Sequence, residues 1–160
     1  MTWTEILHHP SLQNLPYKIE MSEWGNVEMS PLGANHARHQ SQIAQLLQRY
    51  KPGGIVRTQA AVQTTDNIKV SDVIWASEER AQSDLCEAVW NRAPQICVEI
   101  VTPEDPPEEG RHKAKLYLQA GAEEFWISNE RGEMQFCAAG GWLERSRLCP
   151  EFPVEVSIPS

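Results

Sequence analysis

The chain has 160 residues, of which 41% are hydrophobic and 22% charged, so it is too apolar for a disordered protein and we expect one folded domain over residues 1–160. It contains no run of about 18 uncharged apolar residues, and its first ten residues do not resemble a signal peptide. Neither membrane spanning nor secretion is therefore expected. The net charge of −8 repels nucleic acid at long range, which argues against a non-specific nucleic-acid binder but leaves room for a small basic groove.

The four cysteines indicate a reduced protein without a zinc site. No two of them are spaced as Cys-x-x-Cys, the pattern of zinc knuckles and of thioredoxin-type sites. Cys97 lies inside an apolar run, where a free thiol commonly serves as a small core residue. We therefore expect a cytoplasmic location.

The first half of the chain predicts a β-hairpin followed by a helix. Between Tyr17 and Ser30, apolar and polar residues alternate on both sides of a turn at residues 24–26, which is typical of two antiparallel strands. From residue 35 the spacing changes, and apolar residues at 43, 46, 47 and 50 share one face of an amphipathic helix. Residues 52–54, Pro-Gly-Gly, end that helix.

The rest of the chain alternates between strand and helix patterns, which predicts a mixed α/β fold. Short β-branched segments indicate strands at 55–62 and 68–76, and 96–101 is nearly continuously apolar, as in a central strand covered on both faces. The further predicted elements are helices at 78–88 and 108–120, strands at 124–127 and 134–138, and a short edge strand at 154–158.

Two carboxylates lie at positions that the strand patterns predict to be buried. Glu99 lies within the apolar run, and Asp72 shares a strand face with Val70 and Ile74. A buried carboxylate loses its hydration, so a cation or several hydrogen-bond donors should lie beside it. A functional site fits both residues, although Glu99 could belong to a buried salt bridge and Asp72 to a turn.

Lys113 is the candidate cation on helical geometry alone. It precedes Leu116, Tyr117 and Ala120 by three, four and seven residues, so it shares their inward face. The alternative is an exposed pair with Glu109, worth only about 0.3 to 0.5 kcal/mol, which would not require an inward position. Lys115 lies on another side of the helix and is expected at the surface.

Two histidines open the first long helix. His36 and His39 precede Ile43 by seven and four residues, so both could lie on its core side. The spacing His-x-x-His is a weak metal signal without the glutamate of the zinc-protease motif, so structural histidines are an alternative to a histidine-based metal sensor. No phosphate-binding loop, serine-hydrolase elbow or dinucleotide-binding fingerprint is present.

Five segments between about Leu15 and about Phe136 form an ordered set of motifs: LPYKIEMSEWGNVEMSP, HARHQSQIAQLL, SDVIWAS, QICVEIVTP and KAKLYLQAGAEEFWIS. Taken together, these motifs resemble the Uma-two family of restriction-like endonucleases, within the PD-(D/E)XK nuclease superfamily. The resemblance implies a restriction-endonuclease-like α/β core with a mixed central sheet flanked by helices and an N-terminal β-hairpin.

The resemblance also implies which residues would act. The paired acids of the superfamily correspond to Asp72 and Glu99, and the family's migrated lysine corresponds to Lys113, since Val101 stands at the usual lysine position. His36 corresponds to the family's first-helix histidine. Ser71 and the pair Ser128-Asn129 differ from the residues common in the family, but neither difference removes an implied ligand.

The implied activity is metal-dependent hydrolysis of phosphodiester bonds in nucleic acid, with DNA as the expected substrate. Asp72, Glu99 and the backbone carbonyl of Ile100 would hold Mg²⁺, with Mn²⁺ as a substitute. A homodimer in the bacterial cytoplasm is expected, because a duplex has two strands to cut. The alternative is a catalytically inactive module that keeps the nuclease fold to bind a protein or nucleic-acid partner.

Overall fold

Residues 1–158 of the chain are described by a computed structural model, which has four α-helices and ten β-strands in that range. The helices are α1 (Trp3–His8), α2 (Ala34–Tyr50), α3 (Glu78–Asp84) and α4 (Pro107–Gln119). The strands are β1 (Tyr17–Met21), β2 (Val27–Pro31), β3 (Gly54–Thr64), β4 (Asn67–Ser77), β5 (Leu85–Cys86), β6 (Val89–Trp90), β7 (Ile96–Ile100), β8 (Glu124–Ser128), β9 (Met134–Ala138) and β10 (Gly141–Leu143). Within residues 1–158, no helix has the length and apolar character needed to cross a membrane.

An eight-stranded mixed sheet in the order β10-β9-β8-β7-β4-β3-β6-β5 forms the centre of the fold. β7 and β8 run parallel, whereas β4 pairs antiparallel with both β3 and β7. A parallel pair needs a crossover connection, which α4 supplies between β7 and β8. The α/β class with a mixed sheet flanked by helices, expected from the sequence, is confirmed.

β7 is buried on both faces because a helix covers each side of it. Val98 packs in one core cluster with Ile43 and Leu47 of α2. Cys97 points to the other face and packs in a second cluster with Tyr117 of α4. The apolar run in this part of the sequence is therefore a central strand, as predicted. Glu99 lies in this strand and is also buried.

The two long helices lie where the spacing of apolar residues predicts them. α2 covers residues 34–50, and the chain then leaves the helical direction at Gly53, which has a φ of +90°. α4 covers residues 107–119 and is followed by Gly121 with a φ of +116°, a conformation that favours glycine after a helix. Pro107 occupies the first turn of α4, where a missing N–H costs no helical hydrogen bond.

The predicted N-terminal hairpin is confirmed, and it docks on the main sheet through β1. β1 and β2 form a separate antiparallel pair. The backbone N–H of Val70 in β4 donates to Glu20 Oε2 at 2.7 Å, and Lys69 Nζ donates to the carbonyl oxygen of Met21 at 2.9 Å. This docking buries the polar face of β1, so that Lys18 and Glu20 are only 6% and 7% exposed.

The helix predicted at 78–88 is too long. α3 ends at Asp84, and Cys86 pairs with Val89 across a two-residue turn. The turn residues Glu87 and Ala88 have φ values of +51° and +64°, which a right-handed helix cannot contain and which a tight hairpin turn requires. The two short strands of this hairpin extend the sheet beyond β3.

The edge strand predicted at 154–158 is also wrong. The segment makes one isolated β-bridge, between Glu133 and Glu155. The Val156 N–H donates to the carbonyl of Gly132 at 2.7 Å and the Met134 N–H donates to the carbonyl of Val154 at 2.9 Å, so the segment lies against the turn that precedes β9 and not along a continuous strand. The side chain of Val156 is nevertheless buried in the core, which accounts for the alternating pattern.

Candidate active site

The candidate site lies where β4 and β7 separate. Their regular pairing ends at Val73 and Val98, and the next residues along the two strands, Asp72 and Glu99, face a cleft of about 370 Å³. Strand separation leaves the backbone N–H of Ile100 without a β4 carbonyl, and Asp72 Oδ2 accepts a hydrogen bond from it at 2.8 Å. The divergence thus creates both the cleft and one of the interactions that hold an acid in it.

Asp72 is completely buried and has four polar partners. Its Oδ1 lies 2.8 Å from Lys18 Nζ, 3.0 Å from Gln59 Nε2 and 3.2 Å from His36 Nε2. Burial acts to raise the pKa of this carboxyl. The Lys18 ammonium, His36 and the Ile100 N–H outweigh burial and hold the pKa well below its usual range. Asp72 is therefore an anion in the folded protein.

Glu99 lies across the cleft from Asp72 and is 4% exposed. Lys18 Nζ donates to its Oε2 at 2.8 Å, and the Tyr117 hydroxyl donates to its Oε1 at 3.1 Å. Burial raises the pKa of Glu99 to about 7, against the lowering effect of the Lys113 and Lys18 ammonium groups and with a smaller contribution from repulsion by Asp72. The pKa values of the two acids are therefore shifted in opposite directions, a difference that the sequence pattern did not predict.

Lys113 reaches the same cleft from α4, on the helix face that its spacing predicted. Its Nζ lies 3.2 Å from Glu20 Oε1 and 3.6 Å from Glu99 Oε1. Burial acts to lower the pKa of this ammonium, but the two carboxylates raise it above its ordinary value. In residues 1–158 it forms no ion pair with Glu109, the alternative partner, whereas Lys115 is exposed as expected.

The two histidines of α2 turn to different partners. His36 contacts Asp72, while His39 is buried and its Nε2 lies 2.7 Å from Ser128 Oγ. Burial and the neighbouring His36 lower the pKa of His39. Within residues 1–158, no three His, Cys, Asp or Glu side chains form a group that could hold a metal, so a histidine-based metal sensor gains no support.

Lys18 and Glu20 were missed by the sequence analysis. Lys18 Nζ lies between the two acids, 2.8 Å from an oxygen of each, and Glu20 binds both Lys113 and the backbone of β4. Their only signal was that both occupy the polar face of β1. That face is solvated in an ordinary two-stranded hairpin, and it becomes buried here only because the hairpin docks on the sheet.

The donor chemistry of the cleft fits a hard divalent cation. Carboxylate and carbonyl oxygens are the ligands that Mg²⁺ prefers, and Asp72, Glu99 and Ile100 all line the cleft. The ammonium of Lys18 lies between the two carboxylates and acts as a stand-in, because its position shows that their oxygens can share one cation. The residues therefore fit the metal on condition that Lys18 moves.

The cleft as a whole is acidic. Five carboxylates line it against two lysines, a formal charge of −3 with His36 neutral; the acids are Asp72, Glu99, Glu104, Asp105 and Glu109. A polyanion approaching this cleft meets net repulsion unless additional cations are bound. The electrostatics thus agree with the negative charge of the whole chain and favour cation binding at this position.

Known proteins share this fold and sequence pattern. A crystal structure of "a putative nuclease" from Anabaena variabilis has a TM-score of 0.62 and 16% sequence identity over 75% of this chain and 71% of that chain, which shows a common fold. No curated protein matches the chain significantly. Residues 3–144 match the Uma2 family, described as "Putative restriction endonuclease". Because that match covers most of the chain, the protein belongs to the Uma2 family, as the resemblance of its motifs predicted.

Proposed function

We propose that this protein is a metal-dependent endonuclease that hydrolyses phosphodiester bonds in DNA, with Mg²⁺ or Mn²⁺ held by Asp72, Glu99 and the backbone carbonyl of Ile100. The observation that carries the proposal is the convergence of Asp72 and Glu99 on one cation position beside Lys113. The Uma2 family and the fold support a nuclease role. The proposed location is the bacterial cytoplasm, where the four free thiols remain reduced.

Several groups around the cleft would contribute to hydrolysis, each in a different role. The bound metal ion would lower the pKa of a water molecule and neutralise charge that develops on the phosphate. Ile100 N–H and His36 orient Asp72, and the Tyr117 hydroxyl orients Glu99. Water supplies the oxygen of the new P–O bond, one P–O ester bond breaks, and the leaving oxygen takes a proton, so no protein nucleophile is required.

Lys113 is the proposed electrophilic residue. Its ammonium projects into the cleft beside Glu99, where it can orient the attacking water or stabilise the extra negative charge of the phosphate in the transition state. An ammonium is a compact point charge on a flexible stem, so it can follow the phosphate as the bond order changes. We assign Lys113 no role as a metal ligand.

Lys113→Ala should lose cleavage by about a hundredfold to a thousandfold, because one charge-stabilising donor is removed from the transition state. It should retain metal binding, since Asp72 and Glu99 remain. Purified protein would be assayed on single-stranded DNA, double-stranded DNA and RNA with Mg²⁺ and Mn²⁺, and metal binding would be measured by calorimetry.

The matched control for that experiment is Lys115→Ala, which removes an exposed lysine from the same helix. It should cleave as the wild type does. Equal activity of Lys113→Ala and wild type would remove Lys113 from the mechanism. Absence of cleavage by wild type on all three substrates with both metals would contradict the nuclease proposal itself.

We also propose a homodimer, because cutting both strands of a duplex requires two sites, and a symmetric pair of subunits supplies them. Light scattering at micromolar protein should give a mass twice the 18.1 kDa of one chain. A mass of 18.1 kDa alone would contradict this prediction. Addition of a short DNA duplex with Ca²⁺ in place of Mg²⁺ would test whether the substrate promotes the association.

A specific observation favours a second candidate, an inactive module that binds a partner through the nuclease fold. Lys18 contacts both acids at 2.8 Å and Lys113 lies 3.6 Å from Glu99, so two ammonium groups balance the charges of Asp72 and Glu99 without any metal. In that case the cluster would only stabilise the fold. Metal affinity separates the two candidates, because the inactive module would bind neither Mg²⁺ nor Mn²⁺ at millimolar concentrations.

A further inference from the structure

Lys18 occupies an unusual position for a lysine. Its ammonium is buried between Asp72 and Glu99, 2.8 Å from an oxygen of each, and the backbone that carries it is fixed by the docking of β1 on β4. Salt bridges to both carboxylates hold this ammonium in place. The cleft therefore holds a cation that belongs to the protein.

We propose that Lys18 is an internal competitor for the metal position: it holds the two acids together in the resting protein, and a divalent cation binds only by displacing its ammonium. This inference rests on the proposed metal-dependent function and adds to it the residue that sets the metal affinity. The consequence is a higher metal concentration for half-saturation than the two carboxylates alone would require.

The contacts of the two acids oppose simultaneous occupation by Lys18 and a metal ion. Mg²⁺ needs oxygen ligands at about 2.0 to 2.1 Å in near-octahedral geometry. Asp72 Oδ1 and Glu99 Oε2, the oxygens that point to the shared position, both contact the Lys18 ammonium, while Asp72 Oδ2 is bound to Ile100 N–H. An ammonium left in place would also repel the divalent cation at a separation of a few ångströms in a buried site.

A displaced Lys18 ammonium has alternative surroundings within reach. Glu20 lies two residues along β1 on the same face as Lys18, and the lysine stem is long and flexible. Ser30 and Pro31 line the cleft and are exposed to solvent, so the ammonium can also rehydrate on that side of the cleft without moving the hairpin. Displacement thus requires a change of side-chain rotamer and no change in the fold.

Lys18→Met tests the proposal by removing the ammonium while keeping an unbranched apolar stem. Mn²⁺ affinity measured by calorimetry should increase by about tenfold to a hundredfold, because the metal no longer has to break charged hydrogen bonds. The matched control is Lys69→Met, which removes another buried lysine under the same hairpin, bound to the Met21 carbonyl and Glu28 and forming no salt bridge with Asp72 or Glu99. Its Mn²⁺ affinity should equal that of the wild type.

The outcomes separate this inference from the proposed function. Equal or weaker Mn²⁺ binding by Lys18→Met, with binding by wild type intact, overturns the competitor role and leaves the metal-dependent function standing. Absence of Mn²⁺ binding by both proteins overturns both proposals.

A wild-type measurement keeps the test valid if Lys18→Met does not fold without metal. The Cε–Hε NMR resonances of Lys18 should shift as Mg²⁺ saturates the site, while those of Lys69 stay in place. Unchanged Lys18 resonances in the metal-saturated wild type would overturn the proposal.

Discussion

Asp72→Asn should abolish cleavage, by about a thousandfold or more, because the metal and the charge it neutralises contribute several kcal/mol to the transition state. The variant should also be less stable. Lys18 and His36 would face a neutral amide in place of an anion, and the amide cannot accept all four of the polar contacts that Asp72 now makes. Removing one partner of a buried ion pair costs about 3 to 5 kcal/mol. Urea denaturation at neutral pH measures this cost.

The stability lost in Asp72→Asn should depend on pH, in a direction set by the pKa of Asp72. The pKa of Asp72 is held below its usual range, so the folded protein binds fewer protons at this site than the unfolded chain does. Its contribution to stability is therefore fully present above about pH 4, the ordinary aspartate pKa, and is lost as the pH falls below it. The stability difference between wild type and Asp72→Asn should shrink on acidification.

Asp66→Asn is the matched control, since Asp66 forms a more exposed pair with His112 at 2.6 Å. It should change stability by no more than about 1 kcal/mol and leave cleavage intact. Cleavage by Asp72→Asn at the wild-type rate would place the chemistry elsewhere on the protein.

Glu99→Gln should lose metal-dependent stabilisation while keeping its fold. With metal at a hundredfold excess over its Kd, wild type should gain about 2.7 kcal/mol of unfolding free energy, and the variant should gain nothing measurable. The glutamine amide remains able to accept from Lys18 and to bind the Tyr117 hydroxyl, so the buried polar groups stay paired. Thermal melting of both proteins with and without Mg²⁺ or Mn²⁺ provides the measurement.

The pKa of Glu99 predicts how these melts depend on pH. Burial raises it to about 7 from an ordinary value of 4.5, so between these values the folded protein binds more protons than the unfolded chain. The stability of metal-free wild type should therefore fall as the pH rises from 4.5 to about 7, by up to about 3 kcal/mol, and Glu99→Gln should not show this fall. Metal stabilisation of wild type should increase over the same range, because deprotonation creates the ligand.

Two results would contradict this account of Glu99. Equal metal-dependent shifts for wild type and Glu99→Gln would show that the metal binds without this carboxylate. Parallel stability curves for the two metal-free proteins across the same pH range would show that Glu99 does not titrate there.

The candidate site divides into residues that local patterns reveal and residues that they do not. Asp72 and Glu99 were identifiable because each interrupts a buried apolar strand, and a carboxylate there needs partners. Lys113 was identifiable because helical phase places it on the inward face of α4. These inferences use only the repeat of a strand or a helix, so they do not depend on how the elements assemble.

The errors in the predicted elements arise where tertiary contacts act against the local pattern. The helix predicted at 78–88 continued through Glu87 and Ala88, which are acceptable helix residues by type but adopt positive φ in the turn between β5 and β6. The alternation at 154–158 was real, yet its buried position Val156 reflects packing against the core and not strand pairing. In both segments tertiary contacts override the local preference.

The sequence by itself determined the alternating α/β order, the central strand, the helical face of Lys113 and the two anomalous acids, because each is encoded within one element. Only the tertiary structure decided that the hairpin docks on β4 and inserts Lys18 between Asp72 and Glu99, of which Glu99 is 81 residues from Lys18 along the chain. The tertiary structure also decided that Lys18 and His36 hold the pKa of Asp72 below its usual range, whereas burial raises the pKa of Glu99 to about 7. The physical reason is that desolvation and charge pairing depend on distances between elements, which no periodicity within one element contains.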